Sequence, residues 1–263
     1  MDNEDFLYNQ YQNFSIIDLG SEFRQACWDG NLNKIEFFLT SSKLSRNVNI
    51  HYDDDAGLHN ACSNHNLEVV DYLLTSPKLK EHADIHSCLD WPLSLAAKVG
   101  DLEIVKFLLT SPKLKDKANI HADDDYAFHL ACANGHLEVV KYMLTSSELD
   151  EHAHIHPYSN YKIIIENGHL DILKFLLESK KLNVHAENDL IFISACNQGN
   201  LKIIQYLIFD LNIDVNENIK NYLKSEINPF VEKVKHMFEM RETNESLEKE
   251  LLSDKLYQKK TKL

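Results

Sequence analysis

The sequence lacks an apolar run long enough to cross a membrane. Its longest, residues 203–209, is broken by Gln205 and is far short of the roughly 20 residues a span requires. No export signal is expected either: the first residues, Met1, Asp2, Asn3, Glu4 and Asp5, are acidic where such a signal needs positive charge and an apolar core. Basic side chains are scarce, 27 against 41 acidic, for a formal net charge of −14. That balance argues against broad contact with nucleic-acid phosphates, which needs a Lys/Arg stripe. It leaves room for a partner protein with a basic surface. There is no Gly-rich phosphate loop, no Gly-x-Ser-x-Gly, no Cys-x-x-Cys and no His-Glu-x-x-His, so no enzyme activity, cofactor or metal is expected. The remaining composition, 44% hydrophobic and 26% charged, is that of a globular chain.

What the sequence has is self-similarity. Gly30, Gly100, Gly135, Gly168 and Gly199 each precede a polar residue and a leucine, and His65 fills the same place between the first two. The spacings are 35, 35, 35, 33 and 31 residues, so six units cover 21–219. Two residues after that position stands Leu32, Leu67, Leu102, Leu137, Leu170 or Leu201; five after it the residue is always aliphatic, and seven after it always aromatic. These offsets, with apolar residues at eight and nine, describe one face of a helix. Upstream, the columns Ala26, Ala61, Ala96, Ala131, Ala195 and Cys27, Cys62, Ala97, Cys132, Cys196 mark a shorter helix whose small side chains permit close packing. Ile164 and Ile165 break both columns, and a change in stacking is expected near 157–168 to relieve overpacking. The spacing predicts an all-α solenoid of helix–turn–helix units near 21–55, 56–90, 91–125, 126–158, 159–189 and 190–219. Residues 1–20 are expected to form an N-terminal cap, and 220–263 a C-terminal helical cap with a charged tail.

On these residues the chain resembles the ankyrin-repeat family. The run from Ala131 through Gly135-His136-Leu137-Glu138-Val139-Val140 to Lys141, preceded by Phe128-His129-Leu130, carries the likeness, which extends over about three-quarters of the chain. The wording of 118–126 is similar to that of ankyrin arrays from large DNA viruses and host-associated bacteria. The family's Thr-Pro-Leu-His opening is reduced here, and the path from each Ile-His turn to the next glycine is short, so stunted β-hairpin fingers are expected. The resemblance implies a non-enzymatic scaffold that binds a partner protein, a host protein if the viral and bacterial likeness carries weight, through a concave face. Carried over residue by residue, that face would include Trp28, Asn60, Ser63, Trp91, Lys98 and Tyr126, together with the acidic runs Asp53, Asp54, Asp55 and Asp123, Asp124, Asp125. The alternative is an acidic decoy covering the basic surface of a nucleic-acid-binding protein.

Several features admit two readings. The acidic runs can bond turn backbone through their own side chains or dock a basic partner. His51, His86, His121 and His156 recur every 35 residues, with His185 continuing the series; such a column is too widely spaced to share an ion, whereas His152, His154 and His156 look like chelating groups, the third reading being a metal-dependent enzyme built on them. Four of the five cysteines share one repeat column and read as small buried hydrophobes of a chain in a reducing, cytoplasmic setting, with Cys88 in a connector. Beyond Met240, Leu247, Leu251 and Leu252 offer a dimer contact or the face of a solvated helix on a monomer.

Overall fold

A computed structural model describes residues 3–44, 46–181, 183–214, 216–224 and 231–260, with backbone alone for 157–158, 186–188 and 247–260. Among the described residues the structure is helical, without a strand. The chain divides into two compact units, Met1–His154 and Ile155–Leu263. The first contains α1 (Asn3–Tyr11) and four helix pairs: α2 (Ile16–Trp28) with α3 (Leu32–Thr40), α4 (Tyr52–Ser63) with α5 (Leu67–Thr75), α6 (Ser87–Val99) with α7 (Leu102–Thr110), and α8 (Ala122–Asn134) with α9 (Leu137–Thr145). The second contains α10 (Pro157–Glu166) with α11 (Leu170–Glu178), and α12 (Ala186–Gln198) with α13 (Leu201–Gln205), which runs into a π turn, Tyr206–Asp210. It ends in α14 (Glu217–Lys224) and α15 (Val231–Lys260). Within each unit neighbouring first helices pack on one another, α2 on α4, α4 on α6 and α6 on α8, then α10 on α12. This is the layered order of an all-α repeat solenoid.

The packing follows from the columns. Ala26, Cys27, Ala61, Cys62, Ala96, Ala97, Ala131 and Cys132 are fully buried where first helices meet. Contact there is close enough that a Cβ on Gly57 would stand 2.6 Å from the Phe23 ring. The second helices bury Ile35, Val70, Val105 and Val140 together with Leu73, Leu108 and Met143. Each such side chain contributes roughly 1.5–3 kcal/mol on leaving water. Asn31 and Asp101 cap their helices by accepting from the N–H groups of Lys34 and Ile104. At the other end the Thr40, Thr75, Thr110 and Thr145 hydroxyls bond the carbonyl one turn back.

The connectors are pinned by one recurring bond. The N–H of Val48, Ala83, Ala118 and Ala153 donates to the carbonyl of Phe38, Leu73, Leu108 and Met143, at 2.9–3.0 Å. This draws each connector back along its second helix instead of letting it project as a finger. Ile164 and Ile165 are fully buried inside the second unit. The boundaries at 55, 90, 125, 158, 189 and 219 all fall inside helical elements; at the first three the residues that open α4, α6 and α8 form an extra left-handed turn. Likewise α2 starts at Ile16, so part of the segment 1–20 is repeat helix. The remainder, α1, packs on α3, with the Tyr11 ring 5.0 Å from Phe38 and Lys43 Nζ 2.6 Å from Asp5. In the second unit Val231, Val234 and Phe238 of α15 are buried, and Arg241 donates to the Ile213 carbonyl. Leu247, Leu251 and Leu252 lie outside the described side chains.

Candidate interaction surface

Three successive turns in the first unit share an unusual backbone. Asp53, Asp54 and Asp55, then Cys88, Leu89 and Asp90, then Asp123, Asp124 and Asp125, each form one left-handed turn with φ between 50° and 61°. Left-handed backbone costs about 1–2 kcal/mol per residue for an L side chain, least for Asp and Asn. The last residue of each triplet supplies the compensation. Asp55, Asp90 and Asp125 are buried. His51, His86 and His121, four residues earlier, donate Nδ1–H to them at 3.0, 3.0 and 2.8 Å. The next layer donates too: the N–H groups of Asp84, Asn119 and His154 lie 3.0, 2.8 and 3.0 Å from the same carboxylates. A charged, buried acceptor thus fixes its own turn and ties it to the following one. In the second unit His185 and Asp189 repeat the pair, and Asn216 and Asn218 donate from the following layer. At the remaining position Asn160 replaces the Asp and accepts from the His156 N–H at 2.6 Å.

The histidines of this ladder also face an acid on the connector of the next pair. Nε2 of His51, His86 and His121 lies 4.0, 3.2 and 3.4 Å from Glu81, Asp116 and Glu151. Burial pulls the His86 imidazole down, but the Asp116 and Asp90 carboxylates outweigh it and hold it above its ordinary value. His59 behaves oppositely: burial beside Ser87 lowers it despite the acidic turn nearby.

This geometry corrects part of the sequence expectation. Asp55 and Asp125, expected on the binding face, are buried structural acceptors. Asn60 is occupied as well, donating to the Arg24 carbonyl, and the Ser63 hydroxyl bonds the His59 carbonyl of its own helix. Asp53, Asp54, Asp123, Asp124 and Lys98 are exposed, together with Trp28, which is 44% exposed. Asp53 is paired with Arg24, whose guanidinium also lies 5.7 Å from the Tyr52 ring. Trp91 stacks on Tyr126 and Tyr126 on His129, each at 6.0 Å, forming a half-buried aromatic row on α6 and α8. Sequence reading missed Leu89, which is 67% exposed at the middle turn. Three consecutive turns therefore present an acidic pair, an apolar residue and a second acidic pair.

The histidines at 152, 154 and 156 have separate partners. His152 donates to the Ser146 carbonyl, His156 belongs to the turn of α10, and His154 stacks on His121 with ring centroids 4.4 Å apart. Burial pushes the thiols of the column cysteines Cys27, Cys62 and Cys132 far up and that of Cys196 to about 12. Cys88 is exposed.

Among the described residues no helix is long and apolar enough to cross a membrane. Comparison with curated proteins finds no match. Residues 23–117 and 93–160, together more than half of the chain, match the family model described as ankyrin repeats in three copies. Such repeats mediate protein–protein interaction and are typically non-enzymatic scaffolds. With the small-residue columns, the stacked helix pairs and this match agreeing, the chain belongs to the ankyrin-repeat family.

Proposed function

We propose that the chain is a non-enzymatic scaffold that recognises a partner protein with a basic surface through the left-handed turns and the adjoining aromatic row. One observation carries this reading: the buried third Asp holds each acidic turn in place, so that Asp54, Asp123 and Asp124 are presented to solvent on a pre-ordered backbone. Pre-ordering lowers the entropy lost on association. Leu89, Trp91 and Tyr126 supply apolar and aromatic area between the charges, the composition of an interface centre. The net charge of −14 adds long-range attraction for a basic partner. Four buried thiols fit a reducing compartment such as a cytoplasm, including that of a host cell.

The test compares the wild-type chain with a D54N/D123N/D124N variant, Asn being the substitute that best tolerates the left-handed backbone. Both are immobilised, and the proteins retained from a cell extract are identified and re-measured as purified pairs across a salt series. A basic partner held by the wild type and weakened at least about tenfold in the variant supports the proposal. Equal retention by both overturns it. Displacement of that partner by duplex DNA or RNA would assign the second reading, a decoy for a nucleic-acid-binding surface, which the acidic balance also favours.

A further inference from the structure

We infer that His121, Asp125 and His154 form a site for a divalent transition-metal ion of the zinc class. Their ligand atoms all lie within 4.8 Å of one another. His121 Nδ1 is 2.8 Å from one Asp125 oxygen, and His154 Nδ1 is 3.5 Å from the other. Zinc bonds of ~2.0–2.1 Å in a tetrahedral shell place neighbouring ligand atoms ~3.3 Å apart, between those two separations. Two imidazoles and a carboxylate suit zinc and its neighbours rather than calcium or magnesium. His154 is exposed, so its ring can close on the ion and solvent can supply the fourth position. On binding, His121 takes the tautomer with its proton on Nε2, facing Glu151, and the Nδ1 lone pair turns to the ion in place of the hydrogen bond to Asp125. Glu151, 3.4 Å from Nε2 of His121, stands where an outer carboxylate orients a metal-bound histidine.

The repeat itself supplies the contrast. The position two residues before each ladder histidine is Asn49, Asp84, Asn119, His154 or Asn183. At four of these the side chain accepts from the histidine's own N–H, a turn-capping task. His154 has given that task to Asn160 and turns instead toward His121 and Asp125. The turns at His51–Asp55 and His86–Asp90 have the same histidine and buried Asp, yet among the described residues only the third turn brings three such ligands together.

The full chain is titrated with zinc alone against a chromophoric chelator, and with cobalt for its visible absorption. His154→Asn, which restores the residue found at 119, and His152→Asn, outside the cluster, are the variants. Expected are one tight equivalent in the wild type and in His152→Asn, and affinity at least about tenfold weaker in His154→Asn, the lower end of what losing even an outer-shell partner costs. Nitrogen NMR shifts of His121 and His154 in the wild type, which need no variant, are expected to move together on zinc addition. No tight equivalent in the wild type, equal uptake by His154→Asn, or unmoved imidazoles would overturn the inference.

Discussion

Replacing Asp90 with alanine tests whether the buried carboxylates hold the turns. Asp90 accepts from the Asn119 N–H at 2.8 Å and from His86 at 3.0 Å. Bonds to a charged acceptor contribute about 1.5–3 kcal/mol each, and alanine at φ 57° adds about 1 kcal/mol of backbone strain. Asn119 and His86 are partly reachable by water, which offsets some of the loss. The expected cost is about 2–4 kcal/mol. Asparagine keeps the left-handed tolerance and an oxygen for the Asn119 N–H, so Asp90→Asn is expected to cost about 1 kcal/mol or less. Both tryptophans, Trp28 and Trp91, lie in the first unit, so urea unfolding followed by tryptophan emission reports on that unit alone. An alanine variant within about 0.5 kcal/mol of wild type, the scatter of ordinary surface substitutions, would refute the reasoning. So would an asparagine variant as damaged as the alanine one.

The raised His86 value means that the folded chain holds that proton more tightly than the unfolded one. Its contribution is complete below the ordinary value of 6.5 and is lost as pH rises through the raised one. Asp116→Asn is therefore expected to lower the melting temperature at about pH 5.5 more than at about pH 8, and an equal shift at both would count against the pairing. Lowered His59 has the opposite sign, its contribution being present above 6.5 and lost as pH falls, but it is common to both chains and cancels in the difference. A thiol reagent should modify Cys88 alone in the native chain and all five cysteines after denaturation; rapid reaction of a second native thiol would contradict the burial of the other four. His65→Gly, at φ 62°, is expected to raise stability by about 0.5–1 kcal/mol in urea titration despite losing the His65–Asp101 pair. A lower midpoint would show that the pair outweighs the strain.

The stacking was legible because it rests on recurrence. Small residues four and three before the glycine, and aliphatic and aromatic residues after it, each do one packing job six times over. The ladder was legible only in half. Asp55 and Asp125 stand out as members of acidic runs, while Asp90 and Asp189 sit among mixed neighbours that carry no such mark. Yet the spacing His-x-x-x-Asp recurs at 51, 86, 121 and 185, with Asn160 after His156, and an i, i+4 register was the available signal. What composition could not give was the handedness of the turn. Three left-handed residues send the third side chain inward and leave the first two outside, so one Asp run divides into a structural residue and two surface ones. The approach of His154 to His121 was hidden for a related reason: column spacing measures equivalent positions, and His154 stands two residues off its column.

The two acidic turns are not equivalent, and the difference lies one layer back. Asp53 is neutralised by Arg24, 29 residues earlier on α2. The residue 29 before Asp123 is Ser94, buried and uncharged. Asp123 and Asp124 thus carry charge that no cation at the matching position offsets, and they adjoin Tyr126 of the aromatic row. A basic partner gains more there, because at Asp53 it must compete with an ion pair already made. D123N/D124N is therefore expected to cost such a partner at least about 1 kcal/mol more than D53N/D54N, and to flatten the salt dependence of binding further. Equal losses would mean that the partner reads net charge rather than the turn, and a larger loss from D53N/D54N would move the interface centre toward α2 and Trp28.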